Sequence, residues 1–250
     1  MKKILFLSAF VVLVLSISAQ KPSKREIKSL RKTIGVSENF VYIPQGERFI
    51  DHKNVHFDSF WMMNSEVSNE MYNCYLHVDT TSKYQSYPVV NISYDNAILY
   101  CQWLNTQLKD KSWEYRLPTR EEWVYAACAD QNCSYSNGTP FLKNIKGITM
   151  FCYKQVGDEA ICENEKGEMV VKEFGMKMNN FPIPVLSLYP NDWGLFNMCG
   201  NAAEMVMEKG VAVGGSWNNT GYDIRIESTQ TYSTPSPMIG FRPVLVKKKL

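Results

Sequence analysis

Cysteine is the residue type with which this chain is best equipped for chemistry. Its seven cysteines are Cys74, Cys101, Cys128, Cys133, Cys152, Cys162 and Cys199. The pairs Cys128/Cys133 and Cys152/Cys162 flank polar, turn-rich segments, where a disulfide would close without disturbing a core. Each pair therefore predicts a disulfide in an exported chain, and the odd count leaves at least one free thiol.

Metal binding is the second kind of chemistry that the residue types and their spacing could support. No CxxC pair occurs, and His52, His56 and His77 lack the spacing of a zinc site. The run NMCGNAAE, at 197–204, instead brings together an amide, backbone carbonyls and a carboxylate. These hard oxygen donors suit calcium, so the run predicts a structural calcium loop. The alternative is a loop in which the same side chains only form hydrogen bonds.

Residues 1–19 have the parts of an export signal. Lys2 and Lys3 precede an apolar stretch at 4–15, and small residues follow at 16, 18 and 19. A transmembrane anchor is the alternative, but about 12 apolar residues are too few to cross a hydrocarbon core of ~30 Å. We therefore expect a periplasmic or secreted protein with no transmembrane segment after removal of the signal.

Composition and charge limit the class of the mature chain. With 45% hydrophobic and 21% charged residues it can bury a core, which excludes a disordered or low-complexity protein. Without Lys2 and Lys3 the basic and acidic residues balance, so no net basic field attracts nucleic acid. The basic run at 20–39 predicts a linker or a solvated helix, and 40–250 predicts one domain.

Three helices have recognisable starts, at Ser68, Ser93 and Thr119, whose side chains can cap free backbone N–H groups. Their expected inward faces are Met71, Cys74, Tyr75 and Val78; Ala97, Cys101, Leu104 and Leu108; and Trp123, Ala126 and Ala127. Cys74 and Cys101 are thus expected to be small buried thiols. Elsewhere Gly, Pro and Asn interrupt short apolar runs, which predicts an α+β fold with few helices, short strands and much ordered loop.

Seven motifs follow one another along the body of the chain. They are FVYIPQG at 40–46, EVSN at 66–69, YPVVNISYDNAILYCQWLN at 87–105, YRLPTREEWVYAA at 115–127, PNDWGLFNMCGNAAEM at 190–205, GGSWNN at 214–219 and GFRPV at 240–244. In this order they resemble the formylglycine-generating enzyme (sulfatase-modifying factor) domain family. The resemblance implies the formylglycine-generating-enzyme fold, a variant of the C-type-lectin-like fold. It also implies calcium ligands at Asn197 and Glu204, with main-chain carbonyls from Gly200 and Ala202.

The resemblance weakens at the residues that carry the family's chemistry. The enzymes oxidise a substrate cysteine to formylglycine with two cysteines that bind copper(I) between the GGS and GFR motifs. Here the interval 216–239 contains no cysteine, and 201–205 lacks the aromatic residues usual beneath the site. Cys128 and Cys133 belong to a different part of the fold. Copper is therefore not expected, and an oxidase with displaced cysteines is the alternative.

The same interval supplies a candidate ligand groove. Arg225 could bind a carboxylate or a sulfate, and Trp217 with Tyr222, beside Asn218, could stack on a sugar or a peptide. The alternative is that Arg225 forms an internal salt bridge and the aromatic residues are core. The resemblance favours a binding or assembly module of the bacterial cell envelope, of the gliding-motility or secretion-accessory type. Its partner would be an envelope or secreted protein or a glycan, and a carbohydrate-binding lectin-like module is the other reading.

Overall fold

The computed structural model describes residues 22–154, 158–163, 166–174 and 181–249. These residues form four helices: α1 Lys24–Ile34, α2 Asn69–Leu76, α3 Tyr94–Gln107 and α4 Arg120–Cys128. They also form twelve strands: β1 Phe40–Ile43, β2 Gly46–Ile50, β3 Lys53–Phe57, β4 Phe60–Met63, β5 Trp113–Arg116, β6 Asp158–Glu163, β7 Met169–Phe174, β8 Ala203–Met205, β9 Val211–Val213, β10 Thr229–Thr231, β11 Ile239–Phe241 and β12 Val244–Lys247. The mixed α+β class, with short strands, is confirmed.

Two four-stranded sheets organise the chain. The first has the order β1-β4-β12-β5 with antiparallel neighbours, so the last strand of the chain lies between two early ones. The second has the order β10-β9-β8-β11, in which β11 runs parallel to β8 and pairs Gly240 with Glu204. The hairpins β2-β3 and β6-β7 complete the strands. The short connection from β11 to β12 therefore joins the two sheets.

The first sheet is buried on both faces. Trp61 of β4 and Leu245 of β12 belong to one cluster of buried side chains, whereas the adjacent residues Met62 and Val244 belong to a second cluster. Because successive strand residues point to opposite faces, the sheet separates the two clusters. The first cluster includes α3 and the second includes α4. Apolar runs without alternation, such as FWMM in β4, follow from burial on both faces.

The predicted helix starts are confirmed at all three caps. Ser68, Ser93 and Thr119 each accept a hydrogen bond from the backbone N–H three residues later, and Thr119 forms a complete capping box with Glu122. Arg116, at the end of β5, donates two bonds of 2.7 Å to the carboxylate of Glu122. The capping carboxylate therefore also connects β5 to α4.

The expected inward face of α2 is confirmed for Met71 and Tyr75, which pack against the first cluster, and is wrong for Cys74 and Val78. Tyr72 is the buried residue of this helix, while Cys74 is exposed and Val78 lies beyond the helix end. The reason is aromatic packing, because the ring of Tyr72 lies 5.8 Å from that of Tyr100 and 6.4 Å from that of Phe241. These long-range contacts bury Tyr72, a residue outside the stripe that spacing predicts.

The basic segment expected at 20–39 as a linker or helix contains α1. Ser23 and Glu26 form its capping box, and Gly35 ends it in the left-handed conformation at φ 84°. Ile34 is buried, and Ile27 and Leu30 pack against the first cluster. The helix is therefore part of the folded body. The proposed export signal at 1–19 lies outside the described residues, and no described helix is long and apolar enough to span a bilayer.

Candidate functional site

A buried ion pair lies at the centre of the loop 197–204. The Nη2 atom of Arg242 lies 2.7 Å from Oε1 of Glu204, and the two side chains are 0% and 1% exposed. The Nε atom of Arg242 also donates to both carboxylate oxygens, at 3.1 and 3.0 Å. Trp123 donates its indole N–H to Oε2 at 2.7 Å. Both oxygens of Glu204 are therefore held by donors from this chain.

Arg242 also connects the ends of several elements. Its Nη1 donates to the carbonyl of Met63, at the end of β4, and its Nη2 donates to the carbonyl of Phe196. A guanidinium whose three nitrogens all donate hydrogen bonds is fixed in place, and its charge is balanced by Glu204. Arg242 thus joins the first sheet to the loop that leads into β8.

A second buried carboxylate, Glu66, faces the same loop. Asn201 donates its side-chain N–H to Oε1 at 2.8 Å, and Asn197 donates to Oε2 at 3.1 Å. Burial raises the pKa of Glu66 to about 7, while the Arg242 guanidinium lowers this pKa and the Glu204 carboxylate raises it further. Burial dominates because a carboxylate removed from water loses more hydration than two amide donors replace.

These contacts test the calcium ligands implied by the resemblance. Glu204 would have to release Arg242 and Trp123 to bind an ion, and the amide nitrogen of Asn197 is directed at Glu66 and the carbonyl of Val185. Releasing Arg242 would leave a buried cation without its partner, at a cost of several kcal/mol. In this arrangement the carboxylate of Glu204 is occupied by Arg242 and Trp123 and does not fit a calcium ion, and calcium binding at 197–204 stays a prediction.

A polar cavity of about 310 Å³ lies on the segment 215–230. The guanidinium of Arg225 stacks on the ring of Tyr222, 3.5 Å from its centroid, and the Nε of Arg225 donates to the Tyr222 carbonyl at 3.0 Å. Other polar lining residues are Asn219, Asp223, Ser228, Thr229 and Gln230. Among the described residues no carboxylate forms an ion pair with Arg225, because Asp223 accepts its hydrogen bonds from Thr220.

The four residues expected to form one groove occupy two places. Tyr222 and Arg225 line the cavity together, whereas Trp217 donates its indole N–H to the Pro237 carbonyl at 3.4 Å and Asn218 contacts Met238. The chain turns between them, since Oδ1 of Asn219 accepts hydrogen bonds from both the backbone and the hydroxyl of Ser216. Neighbours in sequence therefore point to different surfaces, and we call the first of these the Arg225 cavity.

Two segments cross closely at Gly214 and Gly215. Gly214 has a φ of 78°, and a Cβ there would lie 2.8 Å from the ring of Trp123. Gly215, at φ 63°, would meet Ile224 at the same distance. The crossing thus brings the segment after β9 against the indole that binds Glu204. Sequence reasoning missed this role of Trp123, although its motif, REEWV, was recognised.

The cysteines expected to pair at 128 and 133 are free thiols in the structure. Cys128 is buried at the end of α4, and burial raises its pKa to about 12. The thiol of Cys133 instead donates to the carbonyl of Tyr135 at 2.9 Å. Cys152 is also a buried free thiol, while its expected partner Cys162 has a side chain outside the described residues.

Comparisons with known proteins agree with this architecture. The model of the sulfatase-modifying factor enzyme 1-like domain matches residues 19–247. The fold is similar to that of Treponema denticola variable protein 1, at a TM-score of 0.60 and 15% identity, covering 82% of this chain and 94% of that one. It is similar to PvdO from Pseudomonas aeruginosa, at 0.59 and 19%, covering 82% and 93%, and to CarF, at 0.58 and 18%, covering 82% and 97%. A search of curated proteins found no match. The chain therefore belongs to the sulfatase-modifying factor enzyme 1-like domain family.

Proposed function

We propose that this chain is an exported binding module that holds an anionic group of an envelope or secreted ligand in the Arg225 cavity. One observation carries the proposal: a guanidinium stacked on Tyr222 lines a polar cavity and has no carboxylate partner among the described residues. Arginine binds carboxylates and sulfates through parallel N–H groups, and stacking fixes its plane. The cavity thus supplies an oriented cation that forms no ion pair with a carboxylate in the part of the chain that the structure describes.

The exposed ring of Tyr222 extends the same surface. Its side chain is 69% exposed, so the face opposite Arg225 is available to an apolar sugar face or to a peptide side chain. Asn219, Thr229 and Gln230 add short polar contacts at the cavity wall. Together these features favour an acidic or sulfated glycan, or a peptide with an accessible carboxylate. Both ligands suit a periplasmic or secreted module that recognises or assembles envelope components.

The state of the thiols supports binding rather than oxidation. Burial raises the pKa of Cys101, Cys128, Cys152 and Cys199 to about 12. These groups therefore stay protonated at neutral pH, whereas copper(I) and nucleophilic chemistry both need a thiolate. The segment 216–239, where the family places its copper-binding pair, contains no cysteine.

A ligand series tests the proposal directly. Isothermal titration calorimetry would compare the affinities of sulfated, carboxylated and uncharged oligosaccharides. It would also compare peptides that end in a free carboxylate with peptides that end in an amide. We expect saturable binding of the anionic forms, weakened at least tenfold in Arg225→Gln, because a hydrogen bond to a charged group contributes about 1.5–3 kcal/mol. Trp217→Leu, outside the cavity, is the matched control and should leave the affinity unchanged.

Two outcomes would overturn the proposal. One is equal affinity for charged and uncharged ligands, with no response to Arg225→Gln. The other is turnover: the protein would be incubated with copper(I), oxygen and a cysteine-bearing sulfatase peptide, and the product analysed by mass spectrometry. Conversion of that cysteine to formylglycine would establish the oxidase reading in place of the binding module.

A further inference from the structure

Three separate segments bring exposed lysines and arginines to one side of the molecule. We call this surface the basic face. It comprises Lys24, Arg25, Lys28 and Lys32 of α1, Lys109 and Lys111 in the turn before β5, and Lys247, Lys248 and Lys249 at the end of β12. The face is separate from the Arg225 cavity, since neither it nor its supporting elements contribute to that cavity.

Backbone contacts show that the three segments adjoin one another. The backbone N–H of Lys109 donates to the carbonyl of Ile34, the last residue of α1, at 3.2 Å. Lys248 donates to the carbonyl of Ser112 at 2.8 Å, and Lys247 pairs with Trp113 in the sheet. The lysine end of β12 and Leu30 of α1 also line one cleft of about 980 Å³. The basic residues therefore form a continuous surface.

The acidic residues of this side do not neutralise it. Glu26 caps α1 through Ser23, Asp110 accepts from Ser112, and Glu38 lies 3.8 Å from the guanidinium of Arg31. These three carboxylates, with Asp58 and Glu114 in the cleft of about 980 Å³, stand against nine exposed cations, while Glu122 in the same cleft is paired with Arg116. Since the mature chain is balanced in charge, the excess on this face is a local concentration of positive charge.

The apolar residues of α1 are already used by the fold. Ile34 is fully buried, and Ile27 and Leu30 pack against the first core cluster. The helix therefore has no free apolar face to insert into a bilayer, and the basic face can bind only by charge. Lys28, Lys32 and Lys109 line one cavity of about 490 Å³, and Lys247, Lys248 and Lys249 line the separate cleft of about 980 Å³. The nine cations are thus spread over the whole face and are not gathered in one pocket, an arrangement that fits a plane of many anions better than one compact ligand.

We propose that the basic face docks the protein on an anionic phospholipid surface. Each lysine or arginine near such a surface adds a weak electrostatic attraction, so several such contacts together give a useful affinity. The attraction acts over roughly 10 Å at 0.1 M salt and is therefore sensitive to salt. None of the residues of the basic face lines the Arg225 cavity, so docking and ligand binding would use different residues.

Vesicle sedimentation tests this docking with the whole chain. Vesicles containing phosphatidylglycerol would be compared with pure phosphatidylcholine vesicles, at low and at high salt. We expect binding to the anionic vesicles alone, lost at high salt and weakened at least tenfold in the triple variant Lys24→Gln, Lys28→Gln, Lys32→Gln. The matched control is Lys83→Gln, Lys143→Gln, Lys146→Gln, which removes the same charge from exposed positions outside the basic face.

The controls separate this proposal from its rivals. Equal weakening in both triple variants would show a response to net charge alone and would overturn the basic face as the docking site. Equal binding to neutral vesicles, or tighter binding to soluble polyglutamate than to anionic vesicles, would overturn the lipid surface as the partner. Arg225→Gln should bind the vesicles as the unmodified protein does. A failure of the lipid proposal therefore leaves the proposed ligand cavity untouched, and a failure of the ligand cavity leaves the lipid proposal untouched.

Discussion

Arg242 and Glu204 form a buried ion pair at the place where the sequence suggested a bound calcium ion. The two residues are 38 positions apart in the sequence. Glu204 lies in β8, and Arg242 directly follows β11, the strand that pairs with β8. Trp123 donates a further hydrogen bond to the carboxylate. An ion pair of this kind holds the loop by internal charge and hydrogen bonds. Trp123 of α4 and Arg242, which follows β11, therefore both hold the loop 197–204 through Glu204.

Removal of the guanidinium is expected to be severely destabilising. Arg242→Leu leaves Glu204 buried without its cation, which costs about 3–5 kcal/mol in the free energy of unfolding. Chemical denaturation would measure this loss. Arg120→Leu is the control, because its ion pair with Asp51 is partly exposed and contributes less than about 1 kcal/mol. A loss in Arg242→Leu no larger than in this control would contradict the central role of the buried pair.

Calcium is expected to have no effect on stability, because Glu204 is held by Arg242 and Trp123. The unfolding temperature should be the same with excess chelator and with millimolar calcium, since an ion that binds only the native state would raise it. Differential scanning calorimetry would measure both conditions. An increase with calcium that disappears in Glu204→Gln would show instead that the loop binds the ion as the resemblance implied.

Glu66 should make stability depend on pH near neutrality. Its pKa is about 7 in the fold against an ordinary value of 4.5, so between these pH values the folded protein binds more protons than the unfolded chain. The stabilising contribution of Glu66 is therefore complete below about pH 4.5 and is lost as the pH rises through 7, by up to about 3 kcal/mol. Urea denaturation at a series of pH values would detect the slope.

The variant Glu66→Gln isolates this effect from other titrating groups. Glutamine cannot titrate, so the difference in stability between the two proteins should change between pH 5 and 8, with the unmodified protein losing more. The variant itself places an amide opposite Asn197 and Asn201, and its absolute stability is expected to fall by about 1–3 kcal/mol. Parallel pH profiles for the two proteins would exclude Glu66 as the titrating group.

Local chemistry explains what the sequence predicted well, and tertiary contacts explain what it missed. The caps at Ser68, Ser93 and Thr119 depend on a side chain and a backbone N–H three residues away, so they can be identified from sequence. The predicted inward face of α2 is correct for Met71 and Tyr75 but misses Tyr72, which packs on residues from distant elements. Spacing within one short helix contains no information about such partners.

The candidate site shows the same difference between local contacts, which the sequence predicts, and long-range contacts, which it does not. Tyr222 and Arg225 are three residues apart and meet, as expected for a pair within one turn of chain. The sequence places Trp217 in the same groove only because it is close to them along the chain. The turn formed by Ser216 and Asn219 directs its indole to the carbonyl of Pro237 instead. Glu66 was recognised within its motif, but its contacts lie more than 130 residues away in the sequence and required the structure.

Thiol reactivity should follow burial rather than sequence spacing. Exposed Cys74 is expected to react with iodoacetamide in the native protein, whereas Cys101, Cys152 and Cys199 should react only after unfolding, since burial raises their pKa to about 12. Mass spectrometry of unreduced peptides would identify the labelled sites. A disulfide-linked peptide joining Cys128 to a second cysteine would show that the free thiol in the structure is oxidised in the exported protein.

Gly200 is expected to tolerate no side chain. Its φ is 83°, in the left-handed region, and a Cβ there would lie 2.2 Å from the carbonyl oxygen of Cys152. Gly200→Ala therefore combines backbone strain with overpacking against a fixed peptide, each costing about 1–3 kcal/mol. Gly147→Ala is the matched control, because Gly147 has a φ of 74° but nothing within 4 Å of the added atom. If denaturation gives the same loss for both variants, the close approach of Cys152 to the loop contributes nothing beyond strain.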